Sequence, residues 1–428
     1  MKPLRILAPL ALAVLFGACD NETLQPPTDN PDLVAPLFAR YVAFGNSITA
    51  GFQSGGINDS VQLLSYANLL AGQMGTEFNT PLLNRPGCPA PYTNIFTQTR
   101  VGPAVPGGCA FRNPSVPERL NNVAVPGAEV ITTYDYFDPS IVPSATDVFK
   151  TFLLGGRTQV EAARDVQPTF VTIWIGNNDA LGSVLSATNP GNPALVTAPA
   201  TFTTRYTAMM DALDSYGTIE GGVIIGVVQV GLAPYLTQGR VWKGVELQYD
   251  AASAPLNFFD VNNNCLPFTP IPNTSDTAFT SVPFPVGATV FALANARRDS
   301  VVAGQLPPQN VVPAVLDCTD ANAVTDTEML NLFGSVAAFN AAIAAAAQAR
   351  DWIFIDPNDL LLQLAAVPGQ IRSFPAFDPA DPQNVTAPFG AALSLDGIHP
   401  STSAHRAVAN ALIQAINAKY STSIPALN

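Results

Sequence analysis

Two histidines occur in the 428 residues, His399 and His405. Any chemistry that passes a proton through imidazole therefore has one of these two as its base. His399 stands in Leu395-Asp396-Gly397-Ile398-His399-Pro400, three residues after a carboxylate. A carboxylate at that spacing accepts one ring N–H, fixes the tautomer and leaves the other nitrogen free to take a proton. His405 has no carboxylate nearby in the chain and falls within a helical pattern, so a structural role is expected for it. A base of this kind needs a nucleophile and donors for a developing oxyanion. Ser47 in Phe44-Gly45-Asn46-Ser47-Ile48-Thr49 is a candidate nucleophile, with Gly127 in Val125-Pro126-Gly127-Ala128 and Asn178 in Gly176-Asn177-Asn178-Asp179 as candidate donors. Each motif alone is a common turn: strand–Gly–Ser–helix, a turn glycine, an Asx turn. Together they supply a nucleophile, a base, an orienting carboxylate and an oxyanion hole, which is the apparatus of acyl transfer.

These residues need a scaffold that brings them to one place. Five short apolar runs are candidate strands: Tyr41 to Phe44, Val123 to Val125, Phe170 to Ile175, Val223 to Val230 and Trp352 to Ile355. FVTIWI and VIIGVVQV are apolar without alternation, as expected of strands covered on both faces of a parallel sheet. Helical patterns lie between them, over Val61 to Met74, Thr158 to Val166, Phe202 to Tyr216 and Thr325 to Arg350, with a last one over Ser401 to Tyr420. This alternation predicts a three-layer α/β/α sandwich with a central five-stranded parallel sheet. Ser47, Gly127 and Asn178 each follow a successive strand, so all fall at the C-terminal edge of the sheet, where open α/β sheets bind ligands. A helix starting at Ser47 would direct N–H groups at that edge. Residues 76–120 and 232–320, rich in turn formers or long and irregular, are expected to be insertions that wall the site rather than separate domains.

The blocks YVAFGNSITAG, NVAVPGA, WIGNNDA and LDGIHPS, in that order, resemble those of the SGNH hydrolases, also called GDSL esterases/lipases. The resemblance covers most of residues 40–420. It implies a flavodoxin-like α/β/α fold, Ser47 as nucleophile, His399 as base and Asp396 as its orienting partner. It implies an oxyanion hole formed by the Ser47 and Gly127 backbone N–H groups and the Asn178 side chain. The reaction implied is hydrolysis of a carboxylic ester through an acyl-enzyme, with no metal or organic cofactor. One departure stands beside the nucleophile: Asn46 occupies a position where the family usually has Asp. A carbohydrate O-deacetylase or lysophospholipase using the same residues, with an acetylated glycan or a lipid as substrate, is an alternative. A surface binding module on a decayed scaffold is an alternative of another class.

Residues 1–18 carry Lys2 and Arg5 followed by a short apolar run, the pattern of a signal peptide. The run ends in Leu15-Phe16-Gly17-Ala18-Cys19, which resembles a lipobox with Cys19 as the acylated residue, although Phe16 is unusual there. Residues 19–37 read as a polar, proline-containing tether and 38–428 as the hydrolase domain. The expected location is the bacterial cell envelope, as a lipid-anchored periplasmic or cell-surface outer-membrane protein. No further stretch is expected to cross a membrane. Cys88, Cys109, Cys265 and Cys318 suggest two disulfides in an exported chain. Cys88–Cys109 and Cys265–Cys318 form the simplest of the three connectivities. Net charge is −13 with 12% charged residues, which argues against a nucleic-acid partner. Asp260-Val261-Asn262-Asn263-Asn264-Cys265 imitates the start of a calcium loop, but it has Cys265 where the turn glycine belongs and is expected to be a polar loop.

Overall fold

Tyr41–Gly45 (β1), Phe170–Trp174 (β2), Gly221–Ile225 (β3) and Ile353–Ile355 (β4) form one parallel sheet in the order β1-β2-β3-β4. The first three are buried on both faces, which explains why their sequences show no alternation. The fourth is an edge strand and half-buried. The structure is a computed structural model. It describes residues 35–428 apart from 96, 104–111, 142, 144–146, 273–276, 373 and 376–386. Cys19, the segment proposed as signal peptide and all but the last three residues of the tether lie outside the described residues.

Among the described residues the sheet has four strands where five were expected. The Val123 to Val125 run lies alongside β1, with Val123 N–H donating to Ala43 O (3.0 Å) and Val125 N–H to Gly45 O (3.1 Å). It pairs through a single bridge, Ala43 with Asn122, and is not a strand. The Asn122 side chain accepts from Ala124 N–H within the run, and Pro126 ends it. The segment runs parallel to β1 on the edge away from β2, so the chain connects first to one side of β1 and then to the other. That is the topological switch at which open α/β sheets bind ligands.

Alternate residues of each strand feed two cores. Val42, Phe44, Val171, Ile173 and Ile224 pack with Pro199–Asp214 (α2) and Asp326–Ala349 (α3). Tyr41, Ala43, Phe170, Trp174, Val223 and Ile225 pack with Tyr66–Met74 (α1) and Thr402–Tyr420 (α5). Phe202 of α2 stacks on Phe339 of α3 at 3.9 Å between ring centroids, a contact worth about 0.5–1.5 kcal/mol beyond burial. The 61–74 pattern divides into Asp59–Gln62 and α1. By length and composition α3 is apolar enough to cross a membrane, against expectation. Its Leu332, Phe333, Val336, Phe339 and Ile343 are instead buried in the core on one side.

The 232–320 insertion has regular structure that its sequence did not suggest. Helices Gly239–Ser253 and Phe284–Val302 pack over a two-stranded parallel sheet, Phe259–Val261 with Ala314–Leu316. Trp242, Phe259, Phe284 and Leu316 form a third core, joined by Phe389 and Leu393 from just ahead of the LDGIHPS segment. Gly287 is required here, because a Cβ would lie 2.2 Å from the Trp242 ring. Cys265 and Cys318 form the expected disulfide. Cys88 is also disulfide-bonded, and Cys109, its expected partner, lies outside the described residues. The calcium-loop mimic is a polar loop in which the Asn262 and Asn264 amides donate to Asp317.

His405 is fully buried on α5, where its Nδ1 accepts Tyr66 N–H at 3.2 Å and so ties α5 to α1. Burial, and then the charge of His399, lower its pKa to about 3. The unfolded chain takes up this proton near pH 6.5 and the folded one only near pH 3, so stability is lost as pH falls through that window. Thermal melts between pH 7.5 and 3.5 are expected to show His405→Gln losing less stability on acidification than the parent. Parallel curves would contradict this.

Candidate active site

β1 ends at Gly45, and the chain must turn sharply there to present Ser47. A Cβ on Gly45 would meet Thr49 Oγ1 at 2.2 Å, so the turn excludes any other residue. The buried Gln159 side chain holds the strand end through both backbone groups of Gly45, accepting from its N–H at 2.9 Å and donating to its O at 2.8 Å. Asn46 then caps the next turn by accepting Ile48 N–H at 3.1 Å. An Asp would accept the same N–H, so either residue at this position keeps the backbone geometry. The helix behind Ser47 is a single turn, Ser47–Ala50, far shorter than the dipole argument from sequence required.

Ser47 Oγ lies 2.9 Å from His399 Nε2, across 352 residues of chain. His399 Nδ1 lies 2.8 Å from Asp396 Oδ2. Both side chains of that pair are about nine-tenths shielded from solvent. The Phe52 ring sits 4.9 Å from the imidazole and limits its motion. Asp396 Oδ2 also accepts Gly55 N–H at 2.7 Å. Its Oδ1 accepts the backbone N–H groups of Ile398 and His399, both at 2.9 Å, and the Ser394 hydroxyl at 3.1 Å. Burial alone would raise this pKa. The charge of His399 and the bonds from His399 and Ile398 outweigh it, and the carboxyl is lowered to about 2. It stays ionised wherever the imidazole works.

Asn178 opens the helix Asn178–Val184, and its Nδ2 donates to Ala128 O at 2.8 Å. The other hydrogen of that NH₂ has no partner among the described residues. Asn178, Ser47 and His399 line one small cavity of about 50 Å³, with Leu181, Val230 and Ala233 as apolar walls. Gly127, at φ +79°, adopts the left-handed turn its residue type suits. It does not line the cavity, and its loop is joined to the site through the Ala128–Asn178 bond. Asp179 ties the same loop to the helix. It is buried and accepts Val130 N–H and the Thr197 hydroxyl, each at 3.0 Å. Burial first, and the nearby Glu129 second, push its pKa up to about 7. Among the described residues no cluster of three or more His, Cys, Asp or Glu is placed to hold a metal.

Sequence reasoning did not find the turn that grips Asp396. Ser54 and Gly55 both have positive φ, +54° and +64°. That conformation aims Ser54 N–H at Ser394 Oγ (2.9 Å) and Gly55 N–H at Asp396. The first insertion supports the turn from behind: Arg100 donates to Gly55 O at 2.9 Å, and its guanidinium lies 3.6 Å from the Tyr92 ring centroid. The second insertion reaches the triad loop from elsewhere, through Tyr235 N–H to Gly397 O at 3.0 Å. Paired glycines and an isolated arginine were the signals in the sequence, and neither points to a partner 341 residues away.

No protein-family model and no curated protein matches the sequence. Among solved structures the chain is similar to a mutant of Axe2, an acetyl-xylooligosaccharide esterase from Geobacillus Stearmophilus. The TM-score is 0.35 and the identity 12%, over 90% of this chain and 95% of that one. So loose a likeness leaves the chemistry to the site's own geometry.

Gly55→Ala forces a side chain into a left-handed φ, with its Cβ 2.8 Å from the Tyr92 ring. The resulting shift of Asp396 is expected to lower kcat for p-nitrophenyl acetate by about 10²-fold with KM little changed. Asp396→Asn is expected to cost about 10³–10⁴-fold. Steady-state kinetics check both, and an undiminished kcat in Gly55→Ala would show that the turn does not position the carboxylate.

Proposed function

We propose that this chain is a serine hydrolase of carboxylic esters, of the SGNH type. The observation that carries the reading is the unbroken chain from Ser47 Oγ through His399 to the five-fold held carboxylate of Asp396. In the first half-reaction Ser47 Oγ attacks the ester carbonyl carbon and His399 Nε2 takes the hydroxyl proton. The carbonyl oxygen becomes an oxyanion, which the Asn178 side-chain N–H and the Ser47 backbone N–H are proposed to stabilise, with the Gly127 backbone N–H, whose loop is bonded to Asn178 but does not line the small cavity, as a proposed third donor. The C–O bond to the alcohol then breaks, and His399 returns the proton to the departing oxygen. In the second half-reaction a water molecule gives its proton to His399 and attacks the acyl-serine. Collapse releases the carboxylic acid and restores Ser47. Asp396 remains ionised throughout and holds the imidazole in the tautomer with Nδ1 protonated.

The lysine- and arginine-led apolar segment and Cys19 support a second part of the reading, that the protein is exported and anchored by an acyl group on Cys19 in the bacterial envelope. Four of its five cysteines lie beyond that site, and at least three of those are oxidised, which suits an oxidising compartment.

Ser47→Ala is expected to fold as the parent does and to hydrolyse p-nitrophenyl acetate at least about 10³-fold more slowly. Activity at the parent's rate in a folded Ser47→Ala protein would sink the assignment.

A further inference from the structure

A second cavity, of about 70 Å³, adjoins the first. The two share Ile48, Val228 and Ile398 as lining. Ile48 directly follows Ser47 and Ile398 directly precedes His399, so the boundary between the cavities falls beside the reacting pair. The second cavity is lined by apolar residues throughout. Pro357–Ala365 (α4) contributes Leu360, Leu361 and Leu364, and Trp174 and Val408 also line it. Asp356 caps this helix by accepting Asn358 N–H at 2.9 Å, and Pro357 sits in its first turn, so the leucine face is set firmly in place.

Those three leucines are only half-buried. Well-packed interiors leave few voids larger than a water molecule, and an apolar void beside a polar site is the usual construction of a ligand pocket. A chain of methylenes entering it would complete the burial of the leucine face. Each fully buried methylene favours binding about fourfold, which follows from about 0.8 kcal/mol per CH₂.

We propose that this leucine-walled cavity is the binding site for an aliphatic chain of the ester substrate, so that the enzyme acts on acyl or alkyl esters of several carbons in preference to acetate on a polar alcohol. The inference rests on the serine-esterase reading of the same site. The chain can belong to either half of the ester, since both halves meet at Ser47 and His399.

Two substrate series distinguish the halves: p-nitrophenyl esters from acetyl to octanoyl, and acetates of alcohols from ethyl to octyl. In one series kcat/KM is expected to rise by at least about tenfold between two and six carbons. A rise in the first series assigns the cavity to the acyl chain, and a rise in the second assigns it to the alcohol. In Leu361→Trp, which fills the cavity, and in Leu364→Gln, which makes its wall polar, the six-carbon to two-carbon ratio is expected to fall by about tenfold or more. A flat profile in both series, or a rise that survives in both folded variants, would overturn the cavity assignment. Ser47→Ala, run alongside, separates the failures: a flat profile abolished by Ser47→Ala sinks the cavity only, whereas hydrolysis that survives Ser47→Ala sinks the esterase reading.

Discussion

A carboxylate held away from water either acquires donors or takes up a proton. Asp396 has acquired donors: one from the His399 ring, three backbone N–H groups and one hydroxyl. Much of the architecture bears on that one negative charge. Two donors come from its own loop backbone, which requires the turn at Gly397 with φ +69°. Gly55 N–H comes from the chain beyond the Ser47 turn and requires two consecutive left-handed residues. A buried anion with its acceptors filled has one low-energy orientation. It therefore fixes the imidazole, whose Nε2 is the partner of Ser47 Oγ.

The insertions acquire a physical role from the same charge. The first carries Arg100, which holds Gly55 O, and the disulfide-bonded Cys88, whose backbone N–H donates to Ile57 O at 2.9 Å just beyond the turn. The second builds its own core around Trp242 and contacts the triad loop through Tyr235, while Phe389 fits against Gly397. Loops on a parallel sheet usually vary freely. Here both insertions bond to the segments that hold the proposed acid–base pair, the first through Gly55 and the second through Gly397.

The sheet was legible in the sequence because strands buried on both faces lose the alternation that exposed strands keep, and FVTIW and GGVII show this directly. The edge was not. Val123 to Val125 is as apolar as a strand, but Asn122 bonds locally to Ala124 N–H and takes the segment out of the ladder after one bridge. Ser47 and Asn178 could be picked out because each follows a strand, and strand ends in such a fold converge; Asp396 and His399 could be picked out because histidine is scarce and one of the two stands three residues after a carboxylate. Gln159, Gly55 and Arg100 were not legible. Gln159 and Arg100 act through bonds to distant backbone atoms, and Gly55 through its own N–H to a distant carboxylate, and no residue type or spacing announces the partner. The insertion helices were hidden for a related reason: their apolar faces meet a local core, not the sheet, so no alternating strand marks them.

The central claim is that Ser47 is a nucleophile activated by His399. It is tested most directly by treating the folded protein with a fluorophosphonate and mapping the adduct by peptide mass spectrometry. The expected result is a single phosphonyl adduct on the peptide containing Ser47, absent when His399 is replaced by Ala. No adduct, or one on another serine with Ser47 unmodified, would contradict the account.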